Sequence, residues 1–200
     1  KMKKIACFLF LTATLSSFGQ ITYKRKLSML GSPFEMTVVA KDSVQGNEFI
    51  DLAVAEVKRV EYLISDWIPT TQISQVNKNA GIKPVKVDKE VFDLVSRAIK
   101  VSQITSGAFD ISYASMDRIW KFDGTMKAMP TEEAIKKSVS KIGYKNIVLD
   151  PKEQTIFLKN EGMKLGLGGI GQCYIADKVK ELLLSKGCVS GIVNVSGDIN

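Results

Sequence analysis

Four glycines within six positions, Gly166, Gly168, Gly169 and Gly171, stand between an apolar, strand-like pattern and a regular helical one. A chain that carries such a junction must turn sharply there and let main chain come close to whatever lies beside it. Close approach, together with the partial positive charge of a helix start, suits a phosphate. A second turn signal, Ser196-Gly197-Asp198, follows the next strand pattern. Gly166, Gly168 and Gly171 also fit G-x-G-x-x-G, so a Rossmann-type NAD(P) site is a rival reading. That fingerprint belongs directly after the first strand of a βαβ unit, with further units downstream. Here it falls at residue 166 of 200. A tight strand-to-helix turn without any ligand is the plain alternative, and the crowding of four glycines favours a ligand over it. A P-loop is excluded, because Gly-Lys-Ser/Thr does not occur.

Composition places the chain among ordinary globular domains, with 45% hydrophobic and 24% charged residues. The first nineteen residues differ. Lys3 and Lys4 precede the short apolar run Ile5–Leu15, and small residues Ser17 and Gly19 follow. This reads as a signal peptide cleaved before Gln20, with a retained anchor helix as the weaker alternative. Export is the expectation. Loss of residues 1–19 would remove Lys1, Lys3 and Lys4 and no acid, taking the formal charge from +7 to +4. No basic block with interleaved aromatics occurs, so nucleic acid is not an expected partner. The chain contains no histidine, which excludes His-based metal sites, Ser-His-Asp triads and Cys-His dyads within it. Cys173 and Cys188 flank a predicted helix that would hold them roughly 20 Å apart. That is beyond the about 7 Å a disulfide bridges, so two free, buried cysteines are expected.

Along the chain, Tyr23–Lys26 and Phe34–Ala40 alternate like strands around a Gly31-Ser32-Pro33 turn. Apolar spacing predicts a helix over Asn47–Ile64, a helical turn over Gln72–Asn77 and a helix over Lys89–Thr105 capped by Asp88. Ser106-Gly107 stops that helix. A further helix is predicted over Thr131–Lys141, a hairpin over Ile147–Asp150 and Thr155–Leu158, a helix over Cys173–Lys186 ended by Gly187, and a strand over Gly191–Val195. The mixture, without strict alternation, predicts an α+β fold with a largely antiparallel sheet flanked by helices.

Several blocks, in order, resemble the ApbE family of FAD:protein FMN transferases. They are LGSPFEMTVVA (Leu30–Ala40), LISDW (Leu63–Trp67), QISQVN (Gln72–Asn77), SGAFD (Ser106–Asp110), RIWKF (Arg118–Phe122), IGYKNIVLD (Ile142–Asp150), GLGGIGQCYIADKV (Gly166–Val179) and IVNVSGDI (Ile192–Ile199). The likeness runs from about Lys24 to Asn200, as the N-terminal two-thirds of a single T-fold-like flavin transferase domain spanning residues 20–200 here. It implies binding of FAD and Mg²⁺. It also implies transfer of FMN to a threonine or serine hydroxyl of an acceptor flavoprotein, with release of AMP. Members that hydrolyse FAD, and a periplasmic location, attached or not to the inner membrane, also come with the resemblance.

The resemblance implies site residues as well. Trp67 would stack on a flavin or adenine ring, against the plainer reading of core packing. Ala108, Phe109 and Asp110 would form a flavin corner, with Asp110 accepting hydrogen bonds, against the plainer reading of a solvated turn aspartate. Leu30, Gly166 and Gln172 fall at cofactor positions, and the main-chain carbonyl of Gly169 at a metal position. The remaining metal ligands would lie beyond residue 200, and no catalytic base is named. Three positions depart from the family pattern. Gly166 stands where Asp is usual, Gln172 where Lys or Glu is usual, and Leu30 where Met is usual. The first departure removes a carboxylate beside the diphosphate. An FAD-binding protein or FAD pyrophosphatase without transferase activity is therefore a second reading.

Overall fold

The computed structural model describes residues 19–121 and 123–200. Residues 1–18, and with them most of the predicted signal peptide, lie outside the described residues, as does Phe122. In chain order the elements are β1 (Ile21–Met29), β2 (Ser32–Ala40), α1 (Ser43–Ile64), α2 (Gln72–Lys78), β3 (Val85–Lys86), α3 (Lys89–Ile104), α4 (Glu132–Val139), β4 (Ile147–Asp150), β5 (Thr155–Leu158), α5 (Gly168–Ser185), β6 (Gly191–Val195) and β7 (Asp198–Ile199). Single 3-10 turns lie at Ile111–Ser115 and Tyr144–Asn146.

Two sheets form, ordered β1-β2-β6-β7 and β3-β5-β4. Neighbours in both are antiparallel. This is the α+β class that the sequence predicts, with two sheets in place of one. It overturns the Rossmann reading, which needs parallel neighbours joined by a crossover helix.

The larger sheet buries one face. Phe34, Met36, Val38 and Ala40 alternate inward along β2. Helix α1 lays Ile50, Ala53, Val57, Val60 and Ile64 against them at helical spacing and packs along α5. Helix α5 adds Ile175, Val179 and Leu183 to the same core. Gly171 makes the α1–α5 contact close, since a Cβ there would stand 2.8 Å from Ile64 Cδ1. Around α3, Val91, Leu94, Val95 and Ala98 join Ile156 and Leu158 of β5 in the same continuous core.

The β1–β2 turn differs from the expected one. Met29 pairs with Ser32, so Ser32 and Pro33 already belong to β2 and the turn is Leu30-Gly31. Both residues have positive φ, 56° and 68°, the geometry that joins strands through two residues. In this conformation Leu30 carries steric strain of about 1–2 kcal/mol. Ser196-Gly197 joins β6 to β7 in the same manner, with φ of 54° and 107°.

Helix ends follow the predicted stops. At α3 the Gly107 N–H donates to Ser102 and the Ser106 N–H to Gln103. At α5 the Cys188 N–H donates to Leu183 and the Gly187 N–H to Leu184. Helix starts follow the predictions less well. Asp42 caps α1, accepting from the Gln45 N–H at 2.8 Å, a full turn before the predicted start. Asp88 stands at the start of α3, but its carboxylate pairs with the Gln72 amide instead of the helix N–H groups. Helix α5 begins at Gly168, five residues earlier than predicted, so three of the four clustered glycines are helical. Cys173 and Cys188 are both free; Cys188 is buried, whereas Cys173 is exposed, against expectation. No helix among the described residues is long and apolar enough to cross a membrane.

Candidate functional site

The stretch before α5 is not a strand. Residues 163–167 belong to no regular element and are tied by side chains from distant elements. Asn77 of α2 brackets Leu165, accepting its N–H at 2.7 Å and donating to its carbonyl at 3.0 Å. Ser115 does the same at Lys164, at 2.8 and 3.1 Å. The Gly166 N–H donates to the Ile111 carbonyl at 2.9 Å. These bonds replace a ladder partner and hold the entry to α5 still.

None of Gly166, Gly168, Gly169 and Gly171 has positive φ, so their role here is close approach rather than unusual backbone conformation. At Gly166 the neighbours are protein: a Cβ would meet Ala114 Cβ and Tyr113 Oη, each at 3.0 Å. Gly168 and Gly169 are exposed. Their N–H groups have no partner among the described residues, and Leu167, at the cap position, offers no side-chain acceptor. The free N–H groups of this turn are thus those of Gly168 and Gly169, and the Gly166 N–H is engaged internally.

A cleft of about 360 Å³ opens on this helix start. Leu30, Ile64, Trp67, Leu167, Gly168 and Gln172 are among its walls. The structure therefore gathers Leu30, Trp67 and Gln172 from three separate elements. Trp67 is 72% exposed, so its indole is not a core residue. Its loop is fixed from α2: Thr71 donates to the Ser65 carbonyl, Ser74 to Ile68 and Gln75 to Pro69. The Arg118 guanidinium lies 4.5 Å from the Trp67 ring centroid. Beyond the indole a second, wider cleft of about 850 Å³ shares Asp66 and Trp67 with the first. Lys78, Arg118, Lys141 and Lys164 line it against Asp66 and Asp117, an excess of positive charge.

The Ala108-Phe109-Asp110 corner divides. Phe109 reaches the glycine turn, its Cε2 lying 3.3 Å from where a Cβ at Gly169 would stand. Asp110 has an internal task. One oxygen accepts from the Ser112 N–H and hydroxyl, at 2.8 and 2.7 Å, and the other from the Tyr144 N–H at 2.8 Å. It caps the 3-10 turn and ties it to residue 144, and it lines neither cleft, nor does exposed Ala108. Sequence reasoning missed Tyr113 as a site residue and the Arg118–Trp67 stack. The Asp110-x-Ser112 pattern signals the turn that presents Tyr113. Nothing local signals a stack between residues fifty-one positions apart.

The described residues do not fit a metal centre by themselves. No three of His, Cys, Asp or Glu come together among them. The Gly169 carbonyl lies in the first turn of α5, where helix geometry turns it toward the Cys173 N–H.

Comparison with known proteins places this geometry. The chain is 25% identical over 178 residues to the FAD:protein FMN transferase of Klebsiella pneumoniae (strain 342), covering 89% of this chain and 55% of that protein. It is 24% identical over 183 residues to the FAD:protein FMN transferase of Treponema pallidum (strain Nichols), covering 88% and 51%. It thus spans about half the length of the curated relatives it matches. The crystal structure of the ApbE protein of Thermotoga maritima superposes with a TM-score of 0.76 at 24% identity, covering 87% of this chain and 56% of that one. At that identity the superposition speaks for the fold. The decisive match is to the ApbE family over residues 30–200, which takes in both clefts, the Leu30 turn and the start of α5. By that match, the chain belongs to the ApbE family.

Proposed function

We propose that this chain forms the flavin-binding part of an FAD:protein FMN transferase. The observation that carries the reading is the pair of clefts that meet at Trp67 and the uncapped start of α5. FAD has two ring systems joined by a diphosphate. Two clefts sharing an aromatic wall, the smaller one opening on the helix start at Gly168, match that layout. In this reading the two N–H groups and the helix start hold a phosphate, and Trp67 offers a stacking face. Leu30 and Leu167 keep the smaller cleft apolar. The basic rim of the wider cleft draws the dinucleotide in. The acceptor is a protein carrying a reactive serine or threonine, and AMP leaves. The family resemblance implies magnesium, and the one oxygen it assigns here is the Gly169 carbonyl, which the first turn of α5 directs toward the Cys173 N–H. Export rests on Lys3-Lys4 and the apolar run Ile5–Leu15, and the periplasm as destination on the family resemblance.

The test is incubation of the full-length protein with FAD, Mg²⁺ and a threonine-bearing acceptor domain. The acceptor mass should rise by one FMN moiety, and AMP should appear in equal amount. AMP without a change in acceptor mass would favour the FAD pyrophosphatase reading. Bound but intact FAD would leave a flavin-binding protein.

A further inference from the structure

We propose that the Tyr113 hydroxyl donates a hydrogen bond to the phosphate end of the dinucleotide at the start of α5. The inference rests on the reading of FAD as the ligand. Tyr113 sits on the 3-10 turn Ile111–Ser115, which Asp110 caps and the Gly166 N–H ties down through Ile111. That anchoring sets the ring over the glycines. Its Oη lies 3.0 Å from where a Cβ at Gly166 would stand and 3.5 Å from the same point at Gly168. The hydroxyl thus fills the space that a side chain at residue 166 would take, two residues before the first free N–H group at Gly168.

Tyr113 is 44% exposed and lines the wider cleft with Trp67 and Arg118. Its hydroxyl meets no hydrogen-bond partner among the described residues, and it is not sealed from solvent. A hydroxyl kept only for packing has no reason to remain open on a ligand-sized cleft. Burial, and then the charge of Asp66, push the phenol above its ordinary pKa. It therefore stays protonated at neutral pH and meets a phosphate as a donor rather than as a repelling phenolate. Gly166 brings no carboxylate to this point, so the turn faces the diphosphate with a neutral donor and main-chain N–H groups alone.

Tyr113→Phe keeps the ring and its packing on Gly166 and removes only the oxygen. FAD and riboflavin are titrated into the full-length protein and followed by flavin fluorescence. The expected result is a Kd for FAD raised about tenfold, in line with loss of a hydrogen bond to a charged group. The Kd for riboflavin, which lacks phosphate, should stay unchanged, and so should the thermal unfolding midpoint. Equal FAD affinity in the variant overturns the assignment while the FAD reading stands. A parallel loss for FAD and riboflavin also overturns it, because that pattern belongs to ring packing. Failure of the unmodified protein to bind FAD removes the FAD reading and this assignment with it.

Discussion

Helices α1 and α5 both begin with glycine in or near the first turn, yet one start is closed and the other is open. At α1, Asp42 accepts from the Gln45 N–H, and a Cβ at Gly46 would fall 2.6 Å from Tyr23 Cγ. Protein atoms thus fill both the cap and the space beside the glycine. At α5 the cap residue is Leu167, and Gly168 and Gly169 are exposed with free N–H groups beside a cleft. A helix start left without a side-chain acceptor is a destabilising feature unless something else supplies the negative charge. The difference shows that glycine alone does not mark a site. Glycine filled by a neighbour serves packing, whereas glycine left bare at an uncapped start is the one that the proposed function assigns to a ligand.

Three substitutions bear on this contrast. Gly169→Val places branched carbon at the open start, against Phe109. FMN transfer by the full-length protein should fall about 10²-fold or more, the scale expected when reacting groups shift by an ångström. Unaltered acceptor labelling would locate the site elsewhere and dissolve the contrast. Gly46→Val at the closed start forces the added atoms into the base of the Tyr23 ring. The expected loss is about 1–3 kcal/mol of stability in urea unfolding, with FAD affinity retained below the transition. A variant as stable as the parent would mean that Tyr23 yields easily and that α1 is not closed. Asp42→Ala should cost about 1 kcal/mol of stability. Its FAD titration should overlay that of the parent, and any shift there would tie the two helix starts together.

Helix interiors were legible from periodicity, because each buries one stripe: Ile50 through Ile64 in α1 and Val91 through Ala98 in α3. Helix starts were not. Gly46, and Gly168, Gly169 and Gly171, lower helix propensity, and their inclusion depends on tertiary neighbours such as Tyr23 and Ile64. The segment before α5 read as a strand because Met163, Leu165 and Leu167 alternate inward, yet its hydrogen bonds go to Asn77, Ser115 and Ile111 instead of a neighbouring strand. Strand β3 has two residues, too few to leave a pattern. In the candidate site, Leu30, Trp67 and Gln172 came from block resemblance, and the structure sets them around one cleft. Asp110, taken for a ligand contact, is engaged by Ser112 and Tyr144, a choice made by residues that fold back over thirty positions.

The paired bonds between Asn77 and Leu165 close a loop of 88 residues, and β2 finds its neighbour β6 only after the whole of α5. Closing spans of this length is slow, since the entropy is lost before the contact forms. As the nascent chain leaves the ribosome, Trp67 and the Leu30 turn emerge long before the wall that faces them. The smaller cleft thus stays open on one side until residues 167–175 have been made, and a chain halted before them has only the Leu30 and Trp67 walls.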